Sequence, residues 1–189
     1  LFVSLFDESP DASTRTRGAT WPDEPCPLTG GTTLDELADR TADDLGSTGF
    51  AVDTEAGPQI TCSTGGDGAA PLSLTVSAIR ERSAAEFVAR STAHTDVNGQ
   101  PARPLPRPVE IDGLDPAATL EVTNDSTALA MWVGDGFAVT VSRGDVDDPD
   151  AAAVQVQTML PAAVDVVFTT LDVERPVPVP TSDRRASFD

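Results

Sequence analysis

Apolar and polar residues alternate along several stretches of the chain, which is the period of a β-strand with one buried face. The alternation is strict at residues 72–78 and clear at 137–142. Shorter apolar stretches predict four more strands, at residues 50–52, 59–63, 119–123 and 127–133. Gly134-Asp135-Gly136 separates the strand at 127–133 from the strand at 137–142 and indicates a tight hairpin between them.

Two amphipathic helices are expected in the first half of the chain. Thr33 and Glu36 form a capping box at the start of the first helix, and Gly46 stands where that helix would end. Ser83 and Glu86 form a second box of the same kind, and the helix that follows is expected to end near residue 91. The first of these is the clearest helical pattern in the chain.

A longer helix is expected towards the C-terminal end. Asp148 provides an N-cap, and Pro149 occupies the first helical position. Proline is tolerated there because an N–H at this position makes no hydrogen bond within the helix. A wide apolar stripe then continues to Leu171. Pro161 interrupts the stripe, and we expect it to kink the helix or to split it in two.

The elements follow one another as helix, strands, helix, loop, strands and helix. The loop at residues 92–118 is rich in proline and carries one short strand near residues 109–111. This order predicts an α+β fold, with helices packed on one face of a single antiparallel sheet. We place this domain at residues 26–172, after a flexible linker at 1–25 and before an extended, mobile, proline-rich tail at 173–189.

A net charge of −19 characterises the chain, from 31 acidic and 12 basic residues. Nucleic-acid backbones and anionic membrane surfaces repel a protein of this sign, so both are poor partners, and we expect no nucleic acid to bind. Every basic residue is arginine, and the chain has no tyrosine. GC-rich codons account for this bias, so the acidity by itself does not define a function.

Cys26 and Cys62 are the two cysteines of the chain. Two cysteines are usually unpaired in a cytosolic protein, whereas in an exported domain they usually form one disulfide. The surroundings of Cys26 indicate a loop and those of Cys62 a strand, so a bridge would fasten the N-terminal segment to the sheet. The sole histidine, His94, is distant in sequence, and the three residues do not complete a zinc site.

Motifs of an active site are not evident. His94 would need a nucleophile, and the chain has no Gly-x-Ser-x-Gly pattern, so we interpret it as a loop histidine. Residues 145–150 resemble the start of a calcium loop, but Asp150 and Val156 occupy the positions that require glycine and glutamate. The start of the last helix favours carboxylates there instead. We therefore predict no catalytic residue, no metal and no cofactor.

Residues 1–6 form a short apolar run that is followed at once by acidic and polar residues. Six residues are too few to cross a bilayer, which needs about 20. We expect the run to be the end of a membrane helix or of a signal sequence; the alternative is an arbitrary cut in the chain. In the first case the domain is secreted or anchored on the outer face of the cell membrane.

Three features occur in order along the chain: the segment Pro25-Cys26-Pro27-Leu28, a capped helix with Leu34, Leu37 and Leu45, and Cys62 in a strand. Together they resemble a group of actinobacterial envelope domains. These are exported or lipid-anchored proteins of largely unknown function, and related architectures serve as extracytoplasmic sensor domains of membrane kinases. The resemblance extends over residues 25–171, and this chain differs in having no lipobox cysteine. It implies an extracytoplasmic α+β domain with a Cys26–Cys62 disulfide, and it implies no activity.

Our leading hypothesis is a non-catalytic extracytoplasmic domain that binds a protein or a cell-envelope component, for instance as an accessory subunit of a membrane protein. The alternative is a carrier or sensor of a small apolar or cationic ligand, with its pocket between the sheet and the loop at 92–118. A hydrolase that uses His94 is the third hypothesis. A cavity behind the loop would favour the second hypothesis, and loss of an assayed activity on substitution of His94 would favour the third.

Overall fold

A computed structural model describes residues 18–21, 47–64, 72–92, 105–114, 119–124, 127–144 and 146–176. The helix expected at 33–46 and the tail from residue 177 onward lie outside these ranges. So does the linker expected at residues 1–25, apart from the short segment that ends at Trp21.

The described strands form one sheet of seven, in which every neighbouring pair is antiparallel. In chain order the strands are β1 (Ser47–Thr54), β2 (Gly57–Thr64), β3 (Leu72–Ala78), β4 (Arg107–Pro108), β5 (Thr119–Asn124), β6 (Thr127–Gly134) and β7 (Phe137–Gly144). Across the sheet the order is β1-β2-β3-β7-β6-β5-β4. The predicted α+β class and antiparallel sheet are confirmed. The short strand expected near residues 109–111 occurs slightly earlier, as β4.

The structure describes two helices, α1 (Ala84–Thr92) and α2 (Pro149–Thr170), in this order along the chain. One face of the sheet packs against α2, which has 22 residues, and forms the main hydrophobic core with it. Alternation brings the apolar residues of β3 to this face, where they are fully buried. The rings of Trp132 and Phe137 each meet Phe168 of α2 edge to face, with centroids 5.3 Å apart. Each such pair adds about 0.5–1.5 kcal/mol to the stabilisation that comes from burial.

The opposite face carries a smaller core beneath α1. Leu120, Val133 and Ala138 come from three neighbouring strands and are buried there with Ala84 of the helix. The expectation that the helices pack on one face is therefore wrong for α1. The physical reason lies in β6, where Trp132 and its neighbour Val133 are both buried although they point to opposite faces. A strand that is apolar on both faces needs cover on both.

The helix α2 begins where the sequence predicted. Asp148 is its N-cap, and the side chain of Asp148 accepts a hydrogen bond from the N–H of Ala151 at 3.1 Å. The helix runs without interruption from Pro149 to Thr170, so Pro161 does not split it. By length and composition alone α2 could also cross a membrane, but half of its most apolar window is buried inside the protein. Its packing identifies it as the core helix of the sheet.

Candidate binding edge of the sheet

The hairpin of β1 and β2 forms one edge of the described sheet and is closed by the turn at residues 55–56. The hydroxyl of Thr54 donates a hydrogen bond to the carbonyl of Gly57 (2.8 Å) and accepts one from the N–H of Ala56 (3.2 Å). Gly57 has a φ of 129°, and a Cβ there would lie 2.9 Å from the Cβ of Ala78. Because only glycine fits this position, the turn fixes the register of the edge strand.

The two edge strands differ in length and in residue type. β4 consists only of Arg107 and Pro108, and a short strand with a proline and a basic side chain resists pairing with another chain. β1 has eight residues with neither proline nor a basic residue, and no described strand pairs with its outer side. Residues 51–54 are exposed, and Val52 is 45% exposed. We call the outer side of β1 the open edge.

The hairpin determines which backbone groups of β1 point outward. The closing pair of a two-residue hairpin, here Thr54 and Gly57, exchanges hydrogen bonds, and bonded pairs then alternate along the ladder. Pro58 lies opposite Asp53 and has no N–H to donate, which agrees with this alternation. The N–H and C=O groups of Ala51 and Asp53 therefore point away from β2, towards the open edge.

A groove of about 270 Å³ lies beside the open edge. Trp21 forms one wall, and its indole stacks on the ring of Phe137 with centroids 6.3 Å apart. The rest of the lining comes from the hairpin: Ala51, Val52, Asp53, Pro58, Gln59 and Ile60. The N–H of Thr20 donates to the carbonyl of Leu171 (2.7 Å), which ties the segment with Trp21 to the end of α2. The aromatic wall is thus held by the core.

Asp53 gives this groove a negative charge. The neighbouring Glu55 forms an ion pair with Arg80 (3.2 Å), whereas Asp53 takes part in none of the ion pairs between described residues. The groove therefore combines an aromatic ring, aliphatic side chains and a carboxylate that has no ion-pair partner among the described residues. This combination suits a basic side chain, whose charge can meet the carboxylate and whose aliphatic stem can lie on the indole.

Two buried carboxylates lie away from the open edge. Glu121 of β5 is 5% exposed and accepts hydrogen bonds from Arg107 (3.0 Å) and from Gln157 of α2 (2.8 Å). Glu81 is 6% exposed and pairs with Arg90 of α1 at 2.7 Å. Charge-assisted hydrogen bonds of this kind stabilise a buried carboxylate. Because Glu121 joins β4 and α2 to the sheet, and Glu81 holds α1, we interpret both carboxylates as structural.

A second cavity, of about 470 Å³, lies at the C-terminal end of α2. Three carboxylates line it, those of Asp165, Asp172 and Glu174, and Arg175 lies 3.2 Å from Asp165. Neither this cavity nor the groove is lined by residues 105–114, the described part of the long loop. The described part of the loop therefore does not contribute to either cavity, and neither cavity is the pocket that we expected behind the loop.

The structure describes only part of the residues singled out from the sequence. Cys62 lies on the core face of β2 and is 2% exposed, while Cys26 is outside the described residues, so their pairing stays a prediction. His94 and Asp145 are outside them as well. Asp148 acts as the expected helix cap. Within the described ranges, no group of three His, Cys, Asp or Glu residues is arranged to hold a metal ion.

The sequence interpretation missed the open edge. The apolar residues around Val52 predicted a strand, but they carried no information about its place in the sheet. One signal was available, because residues 47–54 have neither proline nor arginine whereas residues 107–108 have both. Using that signal requires the strand order, which depends on pairing between distant segments.

Comparison of the chain with protein-family models, with curated proteins and with solved structures gives no match.

Proposed function

We propose that this chain is a non-catalytic extracytoplasmic domain that binds a protein or a cell-envelope component. The observation that carries the proposal is the open edge, which is eight residues long and lies beside a groove with an aromatic wall. A long edge strand without blocking residues is a hazard for a protein that leaves it unoccupied, because it pairs with other chains indiscriminately. Addition of a strand to such an edge is a recurring mode of protein recognition, which supports a binding role.

A location outside the cytoplasm is supported by the disulfide that we propose for Cys62. This cysteine lies opposite Gly49 of β1 and Leu74 of β3, on the core face of the hairpin that carries the open edge. A disulfide to Cys26, which is part of the proposal, would fasten the N-terminal segment against this hairpin. Such bridges persist in oxidising compartments and are rare in the cytosol.

A carrier or sensor of a small cationic ligand is the second candidate. The cavity at the end of α2 favours it, because three carboxylates and a single arginine line that cavity. Calorimetric titration with spermidine tests this candidate. Binding that is lost in Asp172→Asn and retained in Asp53→Asn would support it, and the absence of binding to the unmodified chain would exclude this ligand class.

Photo-crosslinking in the cells that produce the protein tests the first candidate. A photoreactive amino acid replaces Val52 at the open edge, and in a control variant it replaces Val154, which is 65% exposed on α2. We expect one discrete adduct, with a protein or an envelope component, from position 52 and none from position 154. Equal labelling from both positions, or a chain that stays free in both variants, would contradict the proposal.

A further inference from the structure

The open edge presents hydrogen-bonding groups at every second residue. The N–H and C=O groups of Ala51 and Asp53 point outward, and the ladder to β2 uses those of Val52 instead. An extended segment laid along β1 would bond to the outward groups and become an eighth strand of the sheet. Each backbone bond formed in this way is independent of sequence, so the side chains must supply the specificity.

The side chains of β1 alternate between the two faces of the sheet. Ala51 lies directly opposite Ile60, a residue of the main core, so Ala51 and Asp53 belong to the face that carries Trp21 and α2. Val52 belongs to the other face. In an added strand, the residue opposite Asp53 would therefore lie on the Trp21 face, and the next residue would lie beside Val52.

Charge and exposure determine what those two positions require. On one face the carboxylate of Asp53 and the indole of Trp21 favour a basic side chain. On the other face Val52 is 45% exposed and gains from contact with an apolar side chain. A second copy of the chain does not meet the first requirement, because it would bring another Asp53 and a further net charge of −19 to the same edge.

We infer that the partner presents an extended segment of alternating apolar and basic residues, which adds to β1 as an eighth strand. The inference rests on the proposed function and specifies where, and with what chemistry, the partner binds. Its basic residues lie against Asp53 and Trp21, and its apolar residues lie against Val52.

Amide hydrogen exchange with two designed peptides tests this inference. The first peptide has eight residues that alternate valine with lysine, and the matched peptide has glutamate in place of lysine. With the lysine peptide at ten times its Kd, we expect the amides of Ala51 and Asp53 to exchange about tenfold more slowly. The amide of Val52, already bonded to β2, serves as the internal reference and should change little. The glutamate peptide should protect none of them.

A charge reversal at the edge provides the second measurement. Asp53→Lys should abolish protection by the lysine peptide and permit protection by the glutamate peptide. Glu110→Lys makes the same charge change at an exposed loop residue and should keep the original preference. Ala51→Pro removes an outward N–H and should weaken the binding of the lysine peptide. Unchanged chemical shifts in α2 confirm that each variant is folded.

Three results would overturn the inference: protection confined to residues away from β1, equal binding of the two peptides, or an unchanged preference in Asp53→Lys. A dimer of the free chain with protected β1 amides would overturn it as well, since the occupant would then be a second copy. If crosslinking at position 52 finds a partner but the lysine peptide does not protect β1, the proposed function stands and this inference fails. If the lysine peptide binds and crosslinking finds no partner, the proposed function fails, and only the preference of the open edge for alternating apolar and basic residues stands.

Discussion

The disulfide predicted between Cys26 and Cys62 can be tested through its effect on stability. The bridge would close a loop of about 37 residues, which is worth about 4 kcal/mol at 25 °C in the chain-entropy model because it restricts the unfolded chain. We therefore expect Cys26→Ser, or reduction of the unmodified protein, to lower the free energy of unfolding by about 4 kcal/mol. That is a large fraction of the stability of a domain of this size.

Substitution of Cys62 should cause a second loss of stability, in addition to the loss of the bridge. Its side chain is 2% exposed and lies in the main core, so Cys62→Ser also buries a hydroxyl among apolar neighbours. This costs about 1–3 kcal/mol more than the loss of the bridge. The difference in free energy of unfolding between Cys62→Ser and Cys26→Ser should persist in reductant. Under the same conditions Cys26→Ser should be as stable as the reduced unmodified protein.

Urea unfolding followed by tryptophan fluorescence, with and without reductant, measures both terms. Titration of thiols in the denatured, unreduced protein from its native source provides an independent reading. Two free thiols, together with an unfolding midpoint that reductant leaves in place, would refute the bridge. That outcome would also remove the main support for a location outside the cytoplasm.

Three further predictions concern the framework of the sheet. Gly134→Ala should cost about 1–3 kcal/mol in thermal unfolding, since its new Cβ would clash with the buried indole of Trp132; an unchanged Tm would show that the indole can move. Asp148→Ala should cost about 1 kcal/mol in urea unfolding through loss of the cap on Ala151, and Asp148→Asn much less; equal losses would contradict the capping role. Glu121→Ala should cost about 1–3 kcal/mol in the same assay, and Glu121→Gln should cost less because its amide oxygen can still accept a hydrogen bond. An alanine variant as stable as the unmodified protein would show that the hydrogen bonds from Arg107 and Gln157 are dispensable.

Local signals predicted the elements that the structure contains. The strict alternation at 72–78 and the paired glycines at 134 and 136 reflect interactions between near neighbours, and β3 and the β6–β7 hairpin form there. The cap at Asp148 is likewise local, and it marks the start of α2. Periodicity and turn chemistry depend on a few adjacent residues, so a single sequence is enough to recognise them.

Arrangement in space was harder to predict, because it depends on contacts between distant segments. Burial of both Trp132 and Val133 requires cover on both sides of β6, whereas the sequence pattern predicted only that both residues belong to one strand. Pro161 does not split α2, whose residues Leu160 and Val164 are buried in the core, and the kink stays a prediction. The open edge follows from the order of the strands, to which Val52 and Asp53 give no local clue.

The place of α2 in the chain has a consequence for how the protein is made. All seven described strands precede this helix, and the core face of the sheet, with Trp132 and Val139, is buried only once the helix packs on it. During synthesis the nascent sheet therefore exposes an apolar face to water until residues 149–170 emerge. Chains at that stage are prone to aggregate, so this protein should depend most on chaperones just before α2 is released.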